Sequence, residues 1–279
     1  MSHPDLDTSV PNVARMYDYM LGGRENFQAD RDAAERILRL APGVRQMVLD
    51  HRAFLRRAVR YLTEQGISQF LDIGTGLPSQ DNVHEVAHET DPRAKVAYVD
   101  RDPIVVSHGQ ALLAKSRHVI VVNADLREPD ALLRRVSGHL DFTRPVAVLL
   151  LHVLNFVADD DDPARIVTCL REALCPGSYL VIAHVTGDDV PGDIEARARA
   201  TYDHANDSLW PRAKDQVLGF FDGFSLVEPG LTHVHDWRAE TGATGARDVA
   251  AAWVGVARKP LPALIDCRGR RGRVACAAL

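Results

Sequence analysis

Three carboxylates in this chain stand at the ends of short apolar runs: Asp72 in Phe70-Leu-Asp72-Ile-Gly74-Thr-Gly76, Asp100 in Val96-Ala-Tyr-Val-Asp100, and Asp125 in Asn123-Ala-Asp125-Leu126. Gly74 and Gly76 let the backbone approach a ligand with no side chain in the way. A dinucleotide fingerprint would carry a third glycine where Ser79 stands. Asp72 sharpens the choice of ligand. A carboxylate beside this turn repels a pyrophosphate and attracts an ammonium group. The pattern therefore favours an amino-acid nucleoside, S-adenosylmethionine, over NAD. Asp100 is placed to accept both hydroxyls of a ribose; its other reading, a helix cap, suits Asp102 better. Asp125 can accept an adenine amino group while Leu126 packs on the ring, or it is an ordinary loop acid. Three acids behind three successive runs agree with one another better than chance placement does.

Other constellations point to less. His84 and His88 are four residues apart on an expected helix, but no third metal ligand accompanies them. Asp159–Asp162 reads as a solvated turn with Asp162 capping a helix that begins at Pro163, so no metal is expected. Ser79 in Gly76-Leu-Pro-Ser79 is not a nucleophile elbow. Cys169, Cys175, Cys267 and Cys276 form no C-x-x-C pair and read as free thiols of a reducing cytosol. The net charge of −5, from 33 basic and 38 acidic side chains, gives no electrostatic case for nucleic acid. Met1–Val10 has no apolar core of a signal peptide. The longest apolar run, Val146–Ala158, contains His152 and Asn155 and is too short for a membrane span. A cytoplasmic protein is expected.

The elements that must position these groups can be read from periodicity. Val13, Met16, Tyr17, Met20 and Leu21 share one helix face, with Pro11 in the first turn, Ser9 as a cap and Gly22-Gly23 as the stop. Helices are expected over about Asp30–Leu40 and from Val44 to Gly66. Beyond Gly66 the rhythm alternates. Strands are expected at Gln69–Ile73, Lys95–Asp100, His118–Asn123, Val146–Leu151 and Ser178–Val185. Helices are expected at Asp81–Glu89, Pro103–Lys115, Pro129–Val136 and Pro163–Leu174, three of them led by an acid and a proline. This βαβα order predicts a parallel sheet with helices on both faces. Further helices near Asp193–His204 and Ala213–Phe221 precede strands at Phe224–Glu228 and Ala251–Ala257. Residues 261–279, with Arg268, Arg270, Arg271 and Arg273, read as a disordered basic tail.

Together, Leu71-Asp-Ile-Gly-Thr-Gly76, Val99-Asp100-x-Asp-Pro103, Ala124-Asp125-Leu126 and Leu174-Cys-Pro-Gly177 resemble the motifs of class I S-adenosylmethionine-dependent methyltransferases. Pro11-Asn-Val-Ala-Arg15-Met-Tyr17-Asp18, Asn26-Phe27, Asp159–Pro163, Val227-Glu-Pro-Gly230 and Trp237-Arg238 resemble an actinobacterial, DUF574-like group of candidate methyltransferases, over about Pro11 to Pro260. The resemblance implies a Rossmann-like α/β fold, a seven-stranded mostly parallel sheet whose last two strands form an antiparallel hairpin. It puts the methionine moiety over Asp72, Gly74 and Gly76, the ribose on Asp100, the adenine on Asp125 and Leu126, and His152 at the methyl-transfer end. Pro78 departs from members that keep a third glycine.

Residues 1–66 are then expected to form a helical lid on a core of residues 67–260. Arg15 could clamp the methionine carboxylate, and Tyr17 could face the sulfonium. An exposed polar face packed through Val13, Met16 and Met20 is the plainer reading of the same segment. His152 is the candidate base, and Asn26, Asp203, His204 and Trp210 are the candidate acceptor-site residues. The expected activity is methyl transfer to a small-molecule acceptor. The rival is a non-catalytic module that binds S-adenosylmethionine or S-adenosylhomocysteine to regulate a partner. An NAD-dependent oxidoreductase is disfavoured by Asp72 and the missing glycine.

Overall fold

The computed structural model describes residues 7–79, 81–188, 190–239 and 252–262. Most of the expected tail, together with Ala251, Cys267 and Cys276, lies outside the described residues. Helices α1 (Val13–Met20), α2 (Gln28–Leu40) and α3 (Val44–Glu64) come first. The alternating part follows: β1 (Gln69–Ile73), α4 (Val83–His88), β2 (Lys95–Asp100), α5 (Pro103–Leu112), β3 (Val119–Asn123), α6 (Pro129–Val136), β4 (Ala147–Leu151), α7 (Pro163–Ala173) and β5 (Tyr179–Val185). Then come α8 (Gly192–Tyr202), α9 (Lys214–Gly219), β6 (Ser225–Leu226), β7 (Thr232–His233) and β8 (Ala252–Arg258).

Strands β1 to β5 pair in parallel, and β8 returns antiparallel to β5, in the order β3-β2-β1-β4-β5-β8-β6. The chain moves outward from β1 to β3 and then crosses back to β4, so the direction of winding reverses between β1 and β4. Ligands of such sheets bind at that crevice, beyond the carboxyl ends of the strands. All five residues of β1 and of β4 are buried, because helices cover both faces. Phe70, Tyr98 and Leu149 face α3 and α4, while Leu71, Val99 and Leu150 face α6, α7 and α9. Strand alternation thus turns Asp72 toward the side that α3 covers.

The structure has eight strands where the resemblance implied seven. The expected edge strand at Phe224–Glu228 is cut short. Ser225 and Leu226 pair with one end of β8, and Thr232 and His233 pair further along it. Between them Pro229 has no N–H for the ladder and Gly230 turns at φ +90°, which interrupts the edge.

The cap of α1 is Asn12, not Ser9: its Oδ1 accepts from the N–H groups of Ala14 and Arg15 at 3.0 and 3.2 Å. Asp102 and Asp162 cap α5 and α7 as their acid-proline pairs predict, at 2.8 and 3.0 Å, but Glu128 makes no such bond to α6. A break at residue 66 does not match the packing. Phe54, Leu55, Ala58, Val59 and Leu62 of α3 share one core with the sheet. Helices α1 and α2 form a separate apolar cluster with Val48 of α3 and with Ala198 and Tyr202 of α8. Among the described residues α8 joins α1 and α2 in the cluster that stands off the sheet. Among the described residues no helix is long and apolar enough to cross a membrane.

Candidate functional site

A cavity of about 270 Å³ lies at the crevice between β1 and β4, with walls from the turns after β1 to β4 and from α1, α3 and α8. The turn after β1 is built as its glycines require. Gly74 sits at φ +73° and its N–H donates to the Val99 carbonyl at 2.8 Å. A Cβ there would fall 2.4 Å from Val153 Cγ2, so glycine is needed for close packing. Gly76 sits at φ +65°, and a Cβ there would meet no protein atom within 4 Å. The space beside it is open to a ligand.

Asp72, Asp100, Asp125 and Leu126 all line this cavity. Asp72 is buried, and burial pushes its carboxyl up to about 7 against the opposing charge of Arg52. Thr75 Oγ1 donates to it at 3.3 Å. Asp100 accepts the Gly76 N–H at 3.0 Å and the Asp102 N–H at 2.9 Å, which fixes the turn and leaves lone pairs for a ligand. Burial raises the Asp100 carboxyl, and those two backbone donors oppose it. Asp125 is part-buried, but the fork of Arg127 at 2.6 Å outweighs burial and holds its carboxyl below the usual range. An adenine amino group would have to share Asp125 with Arg127.

His152 follows β4 in a left-handed conformation, φ +61°. Its N–H donates to the Ala183 carbonyl at 2.8 Å, and Asn155 Nδ2 donates to its carbonyl at 2.9 Å. The loop is braced from behind by Arg212, which donates to the carbonyls of Leu154 and Val157 at 2.8 Å each. Neither ring nitrogen of His152 has a hydrogen-bond partner, and burial lowers the ring to about 4. It is a neutral imidazole at neutral pH.

Beside it stands a residue the sequence reading missed. The His51 ring lies 4.4 Å from that of His152, edge to face, and its Nδ1 is 2.6 Å from the Tyr17 hydroxyl. Burial drives His51 well below its ordinary value and Tyr17 well above its own. The signal was present: Val48, His51 and Leu55 fall on the buried stripe of α3, where a histidine is out of place. Arg52 and Asn155 also line the cavity.

Several expected site residues lie elsewhere. Arg15 is buried off the cavity, with Nε 2.7 Å from Asp30 Oδ2 and Nη2 on the Val10 carbonyl at 2.9 Å. Its guanidinium is held by an internal ion pair and does not line the cavity. Asn26 ties the Gly23 turn, donating to Asp18 Oδ2 at 2.8 Å. Asp203 and His204 are exposed at the end of α8. Trp210 stacks under Arg199 at 5.1 Å, while its neighbours Leu209 and Pro211 face the cavity. Among the described residues no group of three His, Cys, Asp or Glu side chains could hold a metal.

Over residues 1–260 the chain matches the S-adenosyl methyltransferase family. The chain belongs to that family. No curated protein matches its sequence. Two solved structures are similar throughout. A DUF574 family protein from Streptomyces avermitilis MA-4680 is 39% identical, with a TM-score of 0.86 over 91% of this chain and 99% of that one. A candidate methyltransferase from Thermobifida fusca YX is 38% identical, with a TM-score of 0.85 over 92% of this chain and 98% of that one. A SAM-dependent methyltransferase from Anabaena variabilis ATCC 29413, 11% identical, shares the fold at a TM-score of 0.51, covering 73% of this chain and 84% of that one. The S-adenosylmethionine cofactor follows from the family, and the Rossmann-like fold from the sheet order and the similar structures.

Proposed function

We propose that the cavity holds S-adenosylmethionine with its methionine end on Asp72, Gly74 and Gly76, its ribose on Asp100 and its adenine beside Asp125 and Leu126, and that the protein transfers the methyl group to a small-molecule acceptor. One observation carries this reading: the carboxylates behind β1, β2 and β3 and the neutral His152 behind β4 line a single cavity. The bound cofactor supplies an electrophilic methyl group on a sulfonium. The chain supplies the rest. The Gly74–Gly76 backbone leaves room for the ligand, Asp72 attracts its ammonium group, and Asp100 orders the turn while accepting hydroxyls. Covers from α1, α3 and α8 exclude water, which is what an in-line displacement needs most.

The unpartnered imidazoles favour an enzyme over a purely regulatory binding module. A module would gain nothing from burying neutral bases at the far end of its cofactor cavity. Titration calorimetry tests the cofactor reading: S-adenosylmethionine and S-adenosylhomocysteine are expected to bind and NAD is not. Tight NAD binding without S-adenosylmethionine binding overturns it.

A further inference from the structure

The next step rests on the methyl-transfer reading and concerns what the cavity accepts. The geometry points to a neutral hydroxyl on an apolar small molecule as the methylated group, with His152 receiving its proton and Tyr17 and His51 orienting that exchange.

The walls beyond the cofactor residues are apolar: Met20, Ile37 and Val44 from the first three helices, and Ile194 and Ala198 from α8. Among them lie three buried ring nitrogens with no hydrogen-bond partner, His51 Nε2 and both nitrogens of His152. Buried polar atoms left unpaired in a cavity wall are costly, so a ligand that pairs them gains. The Tyr17 hydroxyl keeps its proton and needs an acceptor, which His51 Nδ1 provides at 2.6 Å. With Tyr17 as the donor of this pair, His51 carries its own proton on Nε2 and acts there as a donor. His152, 4.4 Å away, offers one bare lone pair. A donor and an acceptor side by side match a hydroxyl, which needs both.

The charges nearby agree. His51 and Arg52 of α3, Asp72 of β1, His184 of β5 and Tyr17 of α1 stand around His152, Glu195 and Tyr202 of α8 line the same cavity, and Asp100, Arg101, Asp102, Asp125, Arg127 and Asp207 line it too. An ammonium has no lone pair with which to attack the methyl carbon and would place a second cation beside the sulfonium in a water-poor space; a neutral amine is the alternative that labelling of the acceptor atom distinguishes. A carboxylate acceptor would meet two imidazoles that burial keeps uncharged. A hydroxyl adds no charge. In the transfer its oxygen bonds to the methyl carbon as the carbon–sulfur bond breaks, with that electron pair going to sulfur. The oxygen keeps the O–H pair, and the proton passes to His152. One cation vanishes as another forms, so the cavity's net charge is constant. Before transfer the sulfonium holds His152 deprotonated; afterwards it no longer does.

The test uses the full chain labelled with ¹⁵N-histidine, with imidazole signals assigned through His51→Gln, His152→Gln and Tyr17→Phe. Titrations are run with S-adenosylhomocysteine and with sinefungin, an analogue that carries an ammonium in place of the methyl. His51 is expected as the Nε2–H tautomer, and Tyr17→Phe is expected to release it. The His152 midpoint is expected about one unit lower with sinefungin than with S-adenosylhomocysteine. Equal midpoints, or a His51 tautomer indifferent to Tyr17→Phe, overturn the inference while leaving cofactor binding intact. Failure of both ligands to bind overturns the cofactor reading and this inference with it. Incubating the protein and ¹³C-methyl-labelled S-adenosylmethionine with a small-metabolite extract reads the acceptor atom. Oxygen-bound label is expected, and label on nitrogen, on sulfur or nowhere overturns the hydroxyl assignment.

Discussion

Burial lifts the Asp72 carboxyl to about 7, from an ordinary value of 3.8. The folded protein therefore holds more protons than the unfolded chain between those values, and this group's contribution to stability falls as pH rises from about 4 to about 7. Cofactor binding runs the other way, because an ammonium group needs the ionised carboxylate. We expect affinity for S-adenosylmethionine to rise about tenfold per unit as pH climbs toward 7 and to level off above it. Calorimetry in buffers of different ionisation enthalpy should show proton release below pH 7, and Asp72→Asn should abolish it. His51, well below its ordinary value, stays neutral across that window, and His152, at about 4, charges only at its acid edge, so the trend is read above about pH 5. Asp100→Ala removes an acceptor of two charge-assisted hydrogen bonds, each worth about 1.5–3 kcal/mol. A loss of at least about 100-fold in affinity is expected in calorimetry, with the far-ultraviolet circular dichroism unchanged. Unchanged affinity would remove Asp100 from the site. These acids were legible in the sequence because their place behind strands is a local pattern. His51 showed only as a histidine on the apolar stripe of α3, and its meeting with His152 was not legible because the packing of α3 makes it.

Helices α1 and α2 are joined by a buried ion pair whose side chains are 6% and 0% exposed. Asp30 also accepts the N–H groups of Asn12 and Phe27 at 2.8 Å each, so one carboxylate holds both helix starts. Arg15→Ala leaves that buried carboxylate with its two backbone donors but without its counter-charge, and removing one partner of a buried pair costs about 3–5 kcal/mol. Urea unfolding should show the loss, while the folded fraction binds S-adenosylhomocysteine with nearly native affinity. A clamp on the methionine carboxylate would give the opposite, a large loss of affinity at constant stability. Sequence alone could not separate these roles, since Arg15 and Asp30 are 15 residues apart and meet only when two helices pack. The alternating elements were read more closely. Acid-proline pairs start α5, α6 and α7 at Pro103, Pro129 and Pro163. Local chemistry fixes such starts. The edge formed by β6 and β7 was misread because its break at Pro229 interrupts a run that is otherwise strand-like.

Across the molecule, the cover is stitched to the sheet beside the turn after β2. Asn12 Nδ2 donates to Asp102 Oδ2 at 2.6 Å, linking α1 to the turn after β2. Asn206 Oδ1 accepts the Val13 N–H at 2.8 Å, and the Asn206 N–H donates to the Pro11 carbonyl at 2.9 Å. Asp207, next in the chain, pairs with Arg101 beyond β2. The loop after α8, the start of α1 and the strand ends thus form a closed ring of polar contacts around residues that line the cavity. If the ligand enters through that ring, part of the ring has to open, as loops gate exchange in many enzymes. Asn206→Ala removes the side-chain bond to Val13 but leaves the cofactor carboxylates untouched. Losing one such bond is worth about 1 kcal/mol, so dissociation of S-adenosylhomocysteine should speed up roughly fivefold to tenfold in stopped-flow measurements. The melting temperature of the ligand-free protein should move by no more than a few degrees. If dissociation is unchanged while the protein is destabilised, Asn206 holds the fold and access lies elsewhere. If dissociation accelerates at nearly constant stability, the ring is the gate, and the helices that cover the acceptor are also the ones that admit the cofactor.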